Sequence, residues 1–234
     1  MILNSIRITA NEYVYEFSWL GIPTSKLIIN IEDKDNNASE NSSFSISTIG
    51  PLKLYRNYTS SGLIKLNKEG WSLYIEGLDR GQREEKHIQY SLGSHPIVKV
   101  FVDDKGVTAI EADPILDKNS VDAFTVFLKT VKSLRDHRDC SNRFNVFDGK
   151  RRYVVNINTE NINENNGSFT IKCSFGMNRL KTINMESHGT NSENWPFKQD
   201  NQFIIINFSE KSNFLPEYFV IMTPIGKIRG QLQR

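Results

Sequence analysis

Hydrophobic and polar residues alternate in short runs along most of this chain of 234 residues. The runs "SKLIINIED", "GWSLYIEG" and "IVKVFVDD" place every second apolar side chain on one face, and each run stops at charged residues or glycine. Later, "YVVNIN", "GSFTIKCSFG", "QFIIINFSE" and "YFVIMTP" repeat the pattern. Such runs, bounded by Gly, Pro, Asn and Asp, are typical of half-buried strands, and we count about nine or ten of them.

One stretch, "DPILDKNSVDAFTVFLKTVKSLRDH", has a helical period instead. Its apolar residues recur at helical spacing, at Val121, Phe124, Leu128, Val131 and Leu134. The spacing predicts one amphipathic helix near residues 120–136, with Asp117 or Ser120 as its N-terminal cap and basic residues near its C-terminus. The apolar stripe of this helix has to pack on a sheet.

A single helix between two blocks of strands favours a mainly β fold rather than alternating strands and helices. We expect one domain over residues 1–234, built as one curved antiparallel sheet or an open, spiral β-barrel with the helix packed on it. The segments 33–43 and 184–201 are rich in Asn and Ser and are predicted to be long polar connections.

Composition narrows the choice of partners. Acidic and basic residues nearly balance, with a formal net charge of +2, and they are scattered along the chain, so the cationic stripe of a nucleic-acid-binding protein is missing. No apolar run approaches the roughly 18 residues that a membrane helix requires. The first residues lack the pattern of a signal peptide and begin almost directly in strand-like sequence. We therefore expect a mature chain from which a signal peptide has been removed.

Familiar catalytic motifs are missing from the sequence, among them the Gly-x-Ser-x-Gly elbow, His-Glu-x-x-His and the phosphate-binding loops. We predict no catalytic residue, no cofactor and no metal site. The weaker alternatives are an acid–base pair of His87 and His95, which lacks an orienting group, and a zinc site, which lacks the usual close second pair of ligands. The ligands of such a zinc site would be His137, Cys140, Cys173 and His188.

A cluster of acids at Asp103, Asp104, Glu111 and Asp113 lies around a turn and the helix entry, where turn and capping chemistry accounts for it. The basic run Lys150–Arg151–Arg152 follows a predicted Asp148–Gly149 turn. We expect Arg152 to pair with a carboxylate such as Asp148, rather than to bind phosphate, because no glycine-rich anion cradle accompanies it.

The two cysteines, Cys140 and Cys173, lie on either side of that turn. Cys173 shares the inward face of its strand with Phe169, Ile171 and Phe175, and such a buried thiol is a poor nucleophile. The Asp148–Gly149 turn can bring the two cysteines near each other, so the residues leave open a disulfide or two buried free thiols.

The segments "CSNRFNVFDGKRRYVVNI", "IKCSFG" and "LPEYFVIMTPIGKIRGQL" resemble the family called domain of unknown function 3108, exported envelope proteins of Gram-negative bacteria. The resemblance covers nearly the whole chain. Its most specific elements are Asp148, Gly149, Arg152, Tyr153, the pair Asp113 and Pro114 before the helix, and Pro224 and Gly226 in the last turn. It implies a secreted or periplasmic β-rich protein without assigned activity. Because the periplasm is oxidising, it also implies a disulfide between Cys140 and Cys173.

Two functions remain open, and hydrolysis is a more distant third. The protein either binds or scaffolds a protein partner in the cell envelope through one face of its sheet, or it carries an apolar ligand, such as a lipid acyl chain, inside the barrel. The two differ in what fills the interior: packed side chains leave no room for a carried ligand.

Overall fold

The structure, a computed structural model, describes residues 10–32, 41–67, 70–91, 93–103, 106–110, 117–149, 151–180, 201–224 and 226–233. The first eight strands are β1 (Ala10–Trp19), β2 (Ile22–Glu32), β3 (Asn41–Thr48), β4 (Tyr58–Asn67), β5 (Gly70–Asp79), β6 (Gln82–Ser91), β7 (Ile97–Val102) and β8 (Gly106–Ile110). The next six are β9 (Asn142–Phe147), β10 (Arg152–Asn165), β11 (Ser168–Arg179), β12 (Asn201–Ser209), β13 (Leu215–Thr223) and β14 (Gly226–Leu232). Two helices, α1 (Gly50–Tyr55) and α2 (Ala123–His137), and a 3₁₀ turn at Glu210–Ser212 complete the described elements.

All fourteen strands form one antiparallel sheet in the order β8-β7-β6-β5-β4-β3-β2-β1-β14-β13-β12-β11-β10-β9. The first and last strands of the chain are neighbours in the middle of this sheet, where Tyr15 lies opposite Leu232. The outer strands β8 and β9 do not pair, so the sheet is open. The predicted mainly β fold with one curved antiparallel sheet is confirmed. The sequence count of strands was too low, and part of the polar connection predicted over 33–43 is strand, because β3 begins at Asn41.

Two glycines of the sheet are covered by aromatic rings from the neighbouring strands. Phe44 of β3 lies opposite Gly62 of β4, and Phe17 lies close to Gly230 of β14, its direct partner. A Cβ atom on Gly62 would stand 2.3 Å from the Phe44 ring, and one on Gly230 would stand 2.5 Å from the Phe17 ring. Each ring therefore occupies the space that a side chain on the neighbouring strand would need, an arrangement typical of strongly curved sheets.

Helix α2 is the predicted amphipathic helix, but its start and its buried face differ from the prediction. The cap is Asp122, whose side chain accepts a hydrogen bond from the Thr125 amide at 2.8 Å, and not Asp117 or Ser120. The buried residues are Thr125, Val126, Thr130, Val131 and Leu134. Phe124 and Leu128 are only half-buried, because the stripe that faces the core is rotated by about one residue from the predicted one. The short helix α1, with Pro51 in its first turn, was not predicted.

Helix α2 lies against the core-bearing face of the sheet and contacts both of its halves. The ring of Phe124 is 5.0 Å from that of Phe44 in β3, and the Lys129 ammonium lies 5.6 Å from the Trp71 ring of β5 and 6.0 Å from the Phe144 ring of β9. At its C-terminal end, Arg135 donates a hydrogen bond to the Asn213 carbonyl. The helix therefore ties the two halves of the open sheet together.

The gap between the outer strands is bridged by the segment just before α2. The Val121 amide donates to the Asn145 carbonyl at 2.9 Å, and the Phe147 amide donates to the Val121 carbonyl at 3.0 Å, so Val121 forms a parallel bridge on the outer edge of β9. From the other half, the Tyr90 hydroxyl of β6 donates to the Phe147 carbonyl at 2.8 Å. Closure at this seam thus depends on a bridging residue and on side chains rather than on a strand ladder.

Candidate binding surface

The cysteines form the disulfide that the family resemblance implied. Cys140 and Cys173 are bonded, with their Cα atoms 6.4 Å apart, and both are buried. Strand β10 lies between β9 and β11, and its Thr159 lies opposite Cys173 and accepts a hydrogen bond from the Cys140 amide. The disulfide thus connects the segment after α2 to β11. Because both thiols are used, the zinc site that required Cys140 and Cys173 is excluded.

The Asp148–Gly149 turn connects β9 to β10 as predicted. The Asp148 carboxylate accepts a hydrogen bond from the Arg151 amide at 2.6 Å, and the Asp148 amide donates to the Arg151 carbonyl. A Cβ atom on Gly149 would stand 3.1 Å from the Val98 side chain, so this turn packs closely against the other half of the sheet. Tyr153, two residues into β10, is half-buried, and burial raises the pKa of its hydroxyl. These residues stabilise the seam.

Arg152 pairs with a carboxylate as expected, but its partner is Asp117 and not Asp148. Arg152 binds Asp117 with two hydrogen bonds of 2.6 Å, from Nε and Nη2. The Asp117 side chain is 1% exposed and that of Arg152 is 7% exposed. Asp148 was the nearer acid in sequence, but its carboxylate already satisfies the backbone of the turn. The pair joins the segment before α2 to the first residue of β10.

Further buried polar groups surround this seam. Asp122 accepts hydrogen bonds from the Trp71 indole at 3.1 Å and from the Thr125 hydroxyl at 2.5 Å. Burial raises the pKa of Tyr90 well above its usual value, and the nearby carboxylates of Asp122, Asp148 and Asp117 raise it further. These groups bind one another in the core and stabilise the seam between the two halves of the sheet.

The remaining residues considered for chemistry are dispersed in the described part of the chain. His87 lies on β6, His95 in the connection from β6 to β7, and His137 at the end of α2. Asp103 accepts a hydrogen bond from the Arg83 amide next to it in the sheet. Asp104, Glu111, Asp113, Pro114 and His188 lie outside the described residues. The structure therefore does not bring the predicted acid–base or acidic residues that it describes into one cluster.

The interior next to α2 is occupied by protein. One contiguous hydrophobic cluster includes buried residues of both halves of the sheet and of α2, from Tyr15 and Ile64 to Leu134 and Phe208. A groove of about 600 Å³ lies near the β5–β6 turn, but hydroxyl side chains of β3 and β4 line much of it, with Glu76 and Arg83. It is an open groove, and not the enclosed apolar cavity that a carrier would need.

Exposed hydrophobic side chains gather at neighbouring connections of the sheet. The described residues contain twelve exposed large hydrophobic side chains. Six of them lie in or directly beside four adjacent connections, β5–β6, β3–β4, β1–β2 and β13–β14, and a seventh, Phe203 of β12, lies opposite Met222 of β13. We call these seven the apolar rim: Leu20, Ile22, Leu54, Tyr55, Leu78, Phe203 and Met222. Leu54 is 93% exposed, Tyr55 76% and Leu20 75%. Such a concentration marks a contact surface more strongly than scattered exposed residues do.

Backbone contacts hold three of these connections together. The Ile49 amide before α1 donates to the Thr24 carbonyl of β2 at 2.9 Å, and Gly50 is pressed against the Pro23 carbonyl. On the other side, the Arg80 amide in the β5–β6 turn donates to the Asn57 carbonyl after α1. The apolar tips of the β1–β2 and β3–β4 connections are therefore presented side by side on a fixed base.

The turns of the apolar rim have an unfavourable chemistry. Leu20–Gly21 and Arg80–Gly81 are two-residue hairpin turns whose first residues have φ of 51° and 53°. The β10–β11 turn has the same form with Asn166–Gly167, and Asn is a residue that this backbone conformation favours. Positive φ is unfavourable for leucine, and the exposure of its apolar side chain to water is unfavourable as well. A strained, exposed leucine at the tip is therefore a pointer to function.

The same connections carry positive charge. Residues 20–21, 49–57, 79–82 and 223–227 contain four basic residues and one acid, Asp79. Arg56 binds Asp79 through Nε at 2.9 Å and through Nη2 at 2.5 Å, and this bonding raises the pKa of Arg56. Lys53, Arg80 and Lys227 are exposed and remain as an excess of cations beside the apolar rim.

Sequence reasoning did not identify this surface. The turn Pro224 to Gly226 was predicted and is confirmed, since Thr223 lies opposite Gly226 in the β13–β14 hairpin. One signal in the sequence could have identified these turns as unusual. The dipeptides Leu-Gly and Arg-Gly stand between strand-like runs, where Asn-Gly or Asp-Gly is the usual choice. Which side chains would be exposed depends on the order of the strands, which alternation does not show.

The chain matches no known family model and no curated protein. Among solved structures it is similar to the crystal structure of a β-barrel-like protein of domain of unknown function 1849 from Brucella abortus. The TM-score is 0.56 at 7% sequence identity, and the match covers 98% of each chain. At this identity the likeness shows the fold alone, a β-barrel-like domain. Within the described residues, no helix is long and apolar enough to cross a membrane.

Proposed function

We propose that this protein is a non-catalytic binding protein of the bacterial cell envelope, exported to the periplasm and related to the domain of unknown function 3108 family. The observation that carries the proposal is the apolar rim, where the three most exposed large hydrophobic side chains share neighbouring connections with the exposed cations Lys53, Arg80 and Lys227. The strained turn at Leu20 and the exposure of its side chain to water reduce stability, and a binding partner that covers the apolar rim offsets this.

Two further features support the proposal. The disulfide suits an oxidising compartment, and it is buried where it fixes α2 to the sheet. The buried ion pair and the hydrogen bonds of Asp122 stabilise the seam between the outer strands. We therefore look for the site of interaction on the surface. The carrier alternative lacks such support, because α2 occupies the core-bearing side of the sheet.

Photo-crosslinking in the native cells tests the proposal. A photoreactive phenylalanine analogue replaces Leu54 in one variant and Ile97 in another, since Ile97 is also exposed but lies outside the apolar rim. We expect a discrete adduct, with a protein or with lipid, at Leu54 and none at Ile97. Equal labelling at both positions, or none at either, would contradict a binding role for the apolar rim. Fractionation of the same cells, with thiol labelling of the protein, tests the periplasmic location.

A further inference from the structure

We infer that the partner of the apolar rim is the surface of a lipid bilayer with anionic headgroups. The inference rests on the proposed function, because it takes the apolar rim as a contact surface and names what covers it. It is drawn from the shape of the apolar rim and from the placement of charge around its tips.

The shape is that of separate tips rather than of a flat patch. Leu20 stands at the apex of a two-residue turn, and Leu54 and Tyr55 end the short helix α1 of the adjacent connection. Each tip places one or two apolar side chains at its most exposed point. Protein interfaces bury their hydrophobic residues in a packed centre surrounded by a polar rim. Apolar side chains at the apices of projecting connections instead suit insertion into the boundary between headgroups and acyl chains, which adapts to any shape.

The charge is placed as a membrane surface requires. Lys53 precedes Leu54 directly, and Arg80 occupies the tip of the next turn. On the other side, Lys227 is the second residue of β14, opposite Met222. These cations flank the apolar tips and would meet lipid phosphates while Leu20 and Leu54 reach past them. Tyr55 beside them has the amphipathic side chain that concentrates at headgroup level.

The turn chemistry provides an independent argument. The asparagine at the equivalent position of the β10–β11 turn shows that the favoured residue is available to this fold. At the β1–β2 turn a leucine with φ of 51° is used instead, so the residue there is unfavourable both for backbone conformation and for solvation. Transfer of the leucine side chain from water to lipid removes the solvation cost, and the free energy gained by this burial offsets the cost of the backbone conformation.

Vesicle co-sedimentation tests the inference with the full chain in its oxidised form. The vesicles contain phosphatidylglycerol and phosphatidylethanolamine, and phosphatidylcholine vesicles serve as the uncharged comparison. The test variant carries Leu20→Asn and Leu54→Asn. A matched control carries Ile97→Asn and Ile162→Asn, which change two exposed hydrophobic residues outside the apolar rim. Thermal unfolding confirms that both variants fold.

We expect the wild-type protein and the control to bind anionic vesicles at least tenfold more tightly than uncharged ones. The Leu20→Asn/Leu54→Asn variant should bind anionic vesicles at least tenfold more weakly than the control. A Lys53→Gln/Arg80→Asn variant should lose the preference for anionic vesicles. Failure of the wild-type protein to bind anionic vesicles would overturn the inference. So would equal binding of these vesicles by the Leu20→Asn/Leu54→Asn variant and by the Ile97→Asn/Ile162→Asn control.

The crosslinking experiment separates this failure from failure of the proposed function. If the protein does not bind vesicles but the analogue at Leu54 forms an adduct with a protein, the lipid inference is wrong and the apolar rim remains a contact surface. If neither vesicles nor crosslinking show an interaction, both are wrong. Adducts with lipid at Leu54, together with tighter binding to anionic vesicles, support both.

Discussion

Asp117 and Arg152 form a buried ion pair in which both carboxylate oxygens accept hydrogen bonds from the guanidinium at 2.6 Å. The Arg152 guanidinium also lies 5.1 Å from the ring of Phe147. Such a pair is costly to desolvate, and its geometry has to be good to offset that cost. Its two members belong to the segment before α2 and to β10, so the pair specifies how the seam closes.

Removing one partner of this ion pair should lower the free energy of unfolding much more than removing both. We expect Asp117→Ala or Arg152→Ala to lower the free energy of unfolding by about 3–5 kcal/mol, because the remaining charge stays buried without its partner. Asp117→Leu combined with Arg152→Met should lose far less than the sum of the two single losses. Chemical denaturation measures both, and single variants within about 1 kcal/mol of the wild type would contradict the stated role.

The disulfide should contribute a large share of stability. Its closed loop has a sequence separation of 33 residues, for which the chain-entropy model gives about 3.7 kcal/mol. We expect a Cys140→Ala/Cys173→Ala variant to lose about this amount in chemical denaturation, and the reduced wild type to match it. In the oxidised protein, a thiol reagent should label neither cysteine even after unfolding. Labelling of both without a reductant would contradict the bond.

Curvature at Phe44 should make Gly62 sensitive to a single methyl group. We expect Gly62→Ala to lower the free energy of unfolding by about 1–3 kcal/mol, because the added Cβ atom would collide with the ring of Phe44. Gly77 on the next strand is the matched control, since the nearest atom to its Cβ would be 3.7 Å away. If Gly62→Ala and Gly77→Ala have equal melting temperatures, the ring does not fill this space.

The connection from α2 to β9 should be sensitive to acid. The hydrogen bond from the Thr159 hydroxyl, followed by the bond from the Ser141 amide, lowers the pKa of Asp139. A carboxyl group whose pKa is lower in the folded state stabilises it above the unfolded pKa, and this stabilisation is lost as the pH falls below about 4. Between pH 6 and pH 2, the wild type should therefore lose more stability than Asp139→Asn. Parallel pH profiles would refute this role.

The equivalent turn positions Leu20 and Asn166 predict opposite changes in stability when their residue types are exchanged. Leu20→Asn should raise the free energy of unfolding by up to about 1 kcal/mol, because asparagine tolerates positive φ better and exposes less apolar surface. Asn166→Leu in the β10–β11 turn should lower it by a similar amount. Thermal unfolding of the two variants checks the pair, and a destabilised Leu20→Asn protein would show that the leucine makes stabilising contacts.

The sequence carries the local features of this fold and not its long-range pairings. Alternation identifies strands such as β5 and β11, in which every second residue is apolar over 71–75 and 169–177. In β3, "NSSFSIST" contains the buried Ser42, so the period of two is faint, and its first three residues were assigned to a connection. The helix was found because its period is clear over four turns. Its cap was misassigned because Asp117, Ser120 and Asp122 all precede the helix closely and are all residue types that cap helices.

Pairings between distant residues depend on the order of the strands. Arg152 and Asp117 are separated by 35 residues, and Asp148 was chosen as the partner because it lies near in sequence. The disulfide was expected only with the help of the family resemblance, because the residues alone left two buried thiols open. The apolar rim arises from connections that are adjacent in the sheet and far apart in the chain, such as Leu20 and Leu54 with Met222.

The position of β14 between β1 and β13 has a consequence for how the molecule folds. Strands β1 to β8 follow one another as hairpins, and so do β9 to β14, so each block can form from local contacts. The ladder that joins the blocks pairs Tyr15 with Leu232, at opposite ends of the chain, and such a contact of high sequence separation forms slowly. We therefore expect the joining of β1 to β14 to limit the folding rate. Until then both strands present open edges, which are the part of the nascent molecule most exposed to aggregation.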